Sequence, residues 1–159
     1  MGLFTDRDLV AMAIQLEEHG QAFYSRAADK VADTRCKDLL RRLARDEATH
    51  RELFERMLSS LGGVQVPQSC DGEDQSYVRA HLESQVFSRA RMDQLLGQAT
   101  VLERDALQLG VDSEKDSILF YSEMKSFVSG SAHPVVDRII GEEREHFSAL
   151  VELLGTAGR

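Results

Sequence analysis

Two stretches of this chain read alike: EEHGQAFYS at residues 17–25 and EKDSILFYS at residues 114–122, each opening on a glutamate and closing on Phe-Tyr-Ser at the same offsets. Each is followed by a second matched pair, DEATHREL at 46–53 and EEREHFSA at 142–149, which contain Glu47-x-x-His50 and Glu143-x-x-His146. The lone glutamate precedes its Glu-x-x-His pair by 30 residues in the first half and by 29 in the second. If each half folds back on itself at its midpoint, about 15 residues, or roughly 22 Å of helix, lie on either side of the turn. The lone glutamate and the pair then reach similar heights on neighbouring helices.

Hydrophobic periodicity around these stretches predicts four long helices. The first begins after Thr5, a candidate N-cap with Asp8 three residues on, and runs to about Asp33; its apolar positions are Val10, Ile14, Tyr24, Ala28 and Val31. The second runs from near Thr34 to the Leu61-Gly62-Gly63 stop, with Cys36, Leu40, Leu43, Phe54, Met57 and Leu61 inward. The third opens at a capping-box pattern, Thr100-Val-Leu-Glu103, and continues to Ser129-Gly130, with Gly110 as an unfavourable residue inside it. The fourth starts at His133-Pro134, where His133 reads as a cap, and runs to Leu154-Gly155. Between the second and third, residues 62–99 open as a loop, GGVQVPQSCDGEDQ, and continue as one or two short helices, SYVRAHLESQVFSRARMDQLL. Short turns make helices one and two, and three and four, antiparallel hairpins, and the long connection lets helix three run parallel to helix two. The expected fold is an all-α four-helix bundle in one domain over residues 1–159.

Each apolar stripe is interrupted near its middle by a carboxylate: Glu17, Glu47, Glu114 and Glu143. Burying an unpaired carboxylate costs several kcal/mol, so four of them on core-facing stripes need protonation, basic partners or metal ions. Two helices that each give a glutamate, and two that each give Glu-x-x-His, make the arrangement of a dinuclear carboxylate site. The i, i+3 spacing puts both donors on one face, glutamate can bridge two cations, and four carboxylates balance two divalent ions. With 14 glutamates and 5 histidines in 159 positions, chance gives roughly 0.4 Glu-x-x-His occurrences; two, each in a matched half, are a specific signal. Glu47 and Glu114 are the first candidates for bridges. The donors suit two divalent ions per chain, and iron and manganese both fit them.

Composition narrows the rest. The 27 acidic and 19 basic residues give a net charge of -8, which argues against a nucleic-acid partner. No apolar run approaches the roughly 18 residues needed to span a bilayer, and MGLFTDRDLV lacks a secretory pattern; a cytoplasmic protein with no membrane partner is expected. The two cysteines, Cys36 and Cys70, form no CxxC pair, which excludes a zinc ribbon or rubredoxin knuckle. Tyr24 and Tyr121 lie two turns beyond the lone glutamates and are the candidate catalytic residues, able to hydrogen-bond a ligand or relay electrons, with core packing plus a hydroxyl bond to a metal ligand as the favoured role. His19, His81 and His133 lack the pair context, and Glu18, Asp46, Glu142 and Glu145 turn off the core stripe toward solvent.

Glu17 with Phe23-Tyr24, Glu47-x-x-His50, Glu114 with Phe120-Tyr121 and Glu143-x-x-His146 span nearly the whole chain. Together they resemble the rubrerythrin branch of the ferritin-like superfamily, in the form without a rubredoxin domain. The resemblance implies a ferritin-like bundle with a non-haem di-iron centre and oxidoreductase activity, reducing peroxide or dioxygen. It also implies an external electron donor such as a rubredoxin-type protein, and a homodimer. A ferroxidase or iron-storage protein of the same superfamily is the alternative. The chain departs from the family pattern one turn from Glu114, where peroxide-reducing members carry a further carboxylate and this chain has Gly110, Val111, Ser117 and Ile118.

Overall fold

The computed structural model describes residues 5–61 and 89–157. Its long helices are α1 (Asp6–Lys30), α2 (Thr34–Ser60), α3 (Glu103–Met124) and α4 (His133–Thr156). α1 starts on the expected capping box: the Thr5 hydroxyl accepts from the Asp8 N–H at 3.2 Å and the Asp8 carboxylate accepts from the Thr5 N–H at 2.8 Å. It stops at Lys30, short of the expected Asp33, because Asp33 serves the next helix. The Asp33 carboxylate caps α2 by accepting from the Cys36 N–H at 2.8 Å.

The expected capping box at Thr100 and Glu103 does not form. Leu102 is the N-cap of α3 and gives it no side-chain bond. Glu103 turns away and accepts the Ala32 and Asp33 N–H groups at 3.0 Å each. Lys30 Nζ donates to the Gln98 carbonyl at 2.7 Å, and the Val101 N–H to the Lys30 carbonyl at 3.3 Å. The start of α3 is thus fastened to the α1–α2 turn, so α3 runs parallel to α2, as the long connection predicts. At the opposite end Arg7 Nη1 donates to the Leu61 carbonyl at 2.6 Å and holds the end of α2 to the start of α1. Of the connection, residues 89–96 are helical and bury Met92, Leu95 and Leu96; residues 62–88, with Cys70 and His81, lie outside the described residues.

α3 ends at Met124 rather than at Ser129-Gly130, and the chain turns through 125–132. Lys125 Nζ bonds both Asp137 oxygens, at 2.6 and 2.8 Å, and ties that turn to α4. His133 is the first helical residue of α4 rather than its cap; Ala132 is the N-cap and Pro134 sits in the first turn.

The hairpins α1–α2 and α3–α4 pack closely within themselves and face each other through α1 against α3 and α2 against α4. Two apolar clusters fill the interior. One, toward the α1–α2 turn, holds Phe23, Tyr24, Leu40, Leu43, Leu107 and Leu150. The other, toward the α3–α4 turn, holds Leu9, Val10, Phe54, Tyr121, Met124 and Ile139. Each fully buried leucine contributes roughly 1.5–3 kcal/mol, and these clusters offset the polar layer between them. Gly110 has a packing reason: a Cβ there would lie 3.1 Å from Leu150 Cδ2 and 3.3 Å from Tyr24 Cε1. Its absence lets α4 and α1 press onto α3.

Candidate metal centre

Glu17 of α1, Glu47 and His50 of α2, Glu114 of α3, and Glu143 and His146 of α4 all point into the layer between the apolar clusters. They are the six buried polar side chains among the described residues, at 0–4% exposure. Their ligand atoms fall into two groups, each within 4.8 Å: Glu17, Glu47, His50 and Glu143, and Glu47, Glu114, Glu143 and His146. Glu47 and Glu143 belong to both. The geometry therefore pairs Glu47 with Glu143 at the shared position, where Glu47 and Glu114 were the first candidates, and Glu17 and Glu114 stand at opposite ends.

The two halves are laced together by matched hydrogen bonds. The Tyr24 hydroxyl of α1 donates to Glu114 Oε1 of α3, and the Tyr121 hydroxyl of α3 donates to Glu17 Oε1 of α1. Each tyrosine thus holds the lone glutamate of the other half. The imidazoles repeat the pattern, with His50 Nε2 2.7 Å from Glu142 Oε2 and His146 Nε2 3.2 Å from Asp46 Oδ2. With Nε2–H donating outward, each ring turns Nδ1 into the cluster. His50 Nδ1 stands 3.1 Å from Glu143 Oε1 and 3.6 Å from Glu17 Oε2. His146 Nδ1 stands 3.2 Å from Glu143 Oε2 and 3.6 Å from Glu47 Oε1. The rings stack at 5.6 Å between centroids.

Asp46 and Glu142 are a correction to the sequence reading, which turned both toward solvent. Each precedes the glutamate of its Glu-x-x-His pair and reaches across to the histidine of the other half. An acidic residue at that position in both halves was the available signal. Glu18 and Glu145 are exposed as expected. Gly20 was also missed: a Cβ there would lie 2.7 Å from Glu47 Oε2, so glycine gives that carboxylate its room against α1. Cys36 is buried and free, and burial pushes its thiol up to about 12; it packs as a small apolar residue.

The electrostatics follow from this crowding. Burial, then the Glu143 charge, pushes Glu17 up to about 8. The same two causes raise Glu47 and Glu114. For Glu143 burial works the same way, but hydrogen bonds with Glu114, His146 and His50 outweigh it and hold its carboxyl well below the usual range. Burial opposes charge on both imidazoles, yet bonding to Glu143 outweighs it and brings each up to about 9. Without metal, then, the layer is kept neutral enough to bury by protons.

The donor set fits a pair of divalent cations. Glu17 Oε2 and Glu47 Oε1 are buried without a hydrogen-bond partner, an expensive condition that a metal ion relieves. Carboxylate oxygens with one imidazole per position suit iron or manganese, and four carboxylates neutralise two divalent ions.

A family model described as Rubrerythrin matches residues 8–154 of the chain. A solved structure from Thermotoga maritima, provisionally described as a ferritin-like diiron-carboxylate protein, superposes with a TM-score of 0.73. It is 23% identical, with 97% of each chain covered; at that identity the likeness carries the fold, an all-α ferritin-like bundle. No curated protein matches the chain. Among the described residues, no helix is long and apolar enough to cross a membrane.

Proposed function

This chain belongs to the rubrerythrin family, and we propose that its buried layer holds two irons and reduces peroxide or dioxygen with electrons from a separate donor. The observation that carries this reading is the pair of overlapping four-residue groups sharing Glu47 and Glu143. Glu47 and Glu143 would bridge, Glu17 and His50 would complete one position, and Glu114 and His146 the other. Two ferrous ions bound there would supply one electron each, so that one peroxide and two protons become two waters and both irons become ferric.

The chain's own residues prepare this chemistry. Tyr24 and Tyr121 each occupy one oxygen of Glu114 and Glu17, which leaves the other oxygen for metal. Glu142 and Asp46 hold the imidazoles in the tautomer that presents Nδ1. The apolar clusters on both sides exclude bulk water from the layer. These 159 residues carry two cysteines, too few for a four-cysteine iron site, so electrons would come from outside them, for example from a rubredoxin-type protein. A homodimer is part of the same proposal.

The test is to mix the anaerobic diferrous protein with substoichiometric peroxide, and separately with dioxygen, and follow iron valence and products. About two ferrous ions oxidised per peroxide, with water as product and repeated turnover on adding reductant, supports the reading. Iron accumulating well beyond two per chain would favour the ferroxidase or storage alternative. Bound iron inert to both oxidants would refute redox function.

A further inference from the structure

The two positions have the same ligand types, three glutamates and one histidine each, so any difference between them lies in what surrounds the ligands. The imidazoles are not held alike. His50 Nε2 is 2.7 Å from Glu142 Oε2, and the other oxygen of Glu142 accepts from Arg138 Nε at 2.8 Å. His50 is thus fixed by a carboxylate that is itself fixed by a guanidinium. His146 Nε2 reaches Asp46 at the longer distance of 3.2 Å. Asp46 and Glu142 are similarly exposed, at 40% and 33%, but among the described residues no lysine or arginine pairs with Asp46.

The inward nitrogens are held alike, His50 Nδ1 at 3.1 Å from Glu143 Oε1 and His146 Nδ1 at 3.2 Å from Glu143 Oε2, so the outward contacts make the difference. Glu17 Oε2, in the first position alone, is buried without a hydrogen-bond partner. An ion entering the first position meets that free oxygen beside a fixed imidazole. One entering the second must also fix a looser ring. Carboxylates that orient a ligand histidine are worth about 10–100-fold in metal affinity.

We infer that the two metal positions are unequal, that the one formed by Glu17, Glu47, His50 and Glu143 fills first, and that the Arg138–Glu142 pair sets this order by fixing His50. The inference rests on the dinuclear reading above. It is tested by titrating the metal-stripped full chain with cobalt(II), read by calorimetry and by cobalt visible absorption. Wild type should bind two ions in two resolved steps. Glu142→Gln should weaken the first step by about 10-fold or more and alter the spectrum of the first cobalt. Asp46→Asn should weaken the second step and spare the first. Glu17→Gln should abolish the tight step, and Glu114→Gln should leave it. Arg138 is exposed, so Arg138→Gln keeps the test open should the Glu142 variant fold poorly; it should weaken the first step by less than Glu142→Gln does. Two ions separated by no more than the statistical difference of equivalent sites, or a tight step lost in Glu114→Gln and kept in Glu17→Gln, overturns the order while leaving the dinuclear reading standing. No cobalt, iron or manganese binding at all overturns both.

Discussion

Stripping metal from this chain should leave a protein whose stability falls steadily as pH rises through neutrality. In the folded chain Glu17 is raised to about 8, and His50 and His146 to about 9 each. Unfolded, they return to 4.5 for the glutamate and 6.5 for the histidines. Between the two sets of values the folded state binds more protons than the unfolded one. Stability from these groups is fully present below their unfolded values and is lost as pH climbs through the folded values. Glu143 has the opposite sign, since its folded value is depressed; its contribution is lost only in acid, below this window. Each excess proton costs about 1.4 kcal/mol of stability per pH unit. A single net excess proton, the least that these three groups imply, removes about 3 kcal/mol between roughly pH 6.5 and 8.5. For a chain of this length that is a fall in Tm of roughly 6–12 °C. The assay is a series of calorimetric or circular-dichroism melts in chelator at constant ionic strength. With iron or manganese bound, the donors hold metal rather than protons. The decline should then disappear, with stabilisation of about 4 kcal/mol at a thousandfold excess over Kd. A Tm of the chelated protein that stays level or rises from pH 6.5 to 8.5 would refute the reasoning, because the buried layer would then not be protonated.

Other perturbations probe the supports. Tyr121→Phe removes the donor to Glu17 and leaves a buried oxygen unpaired; the metal-free protein should lose about 1–3 kcal/mol in denaturant melts. Gly20→Ala places a methyl against Glu47 Oε2 while adding up to about 1 kcal/mol of helix propensity. Melts should show equal or greater stability and metal titration a weaker affinity, and an unchanged affinity would show that Glu47 needs no such room. Glu103→Ala frees the Ala32 and Asp33 N–H groups and should cost about 1 kcal/mol. Bonding to the Asp33 N–H leads the causes that depress Glu103, so its contribution is present above about pH 4.5 and fades as pH falls through the lowered value.

The six inward side chains were legible because their pattern is one-dimensional. A helix face repeats every three to four residues, so Glu47 with His50 and Glu143 with His146 declare themselves along the chain, and the matched halves supply the pairing. What was not legible depends on contacts between helices. Asp46 and Glu142 sit off the stripe, and only their reach across to His146 and His50 gives them a role. Glu103 has the spacing of a capping box with Thr100 but finds two free N–H groups on the neighbouring turn, a competition invisible in local sequence. The sharing of Glu143 rather than Glu114 between the two groups follows from the pseudo-symmetry of the halves, which the repeat implied and the stripe alone did not rank. Gly110 reads as a helix weakness until Leu150 and Tyr24 are seen against it.

The most direct test of the centre is iron content after anaerobic loading of the metal-stripped chain with ferrous iron, beside Glu47→Ala and Glu143→Ala. The account expects about two irons per chain in wild type. Both variants should fall far below that, because each removes a carboxylate common to both four-residue groups. Wild type that binds neither iron nor manganese, or variants that bind as much as wild type, would contradict it.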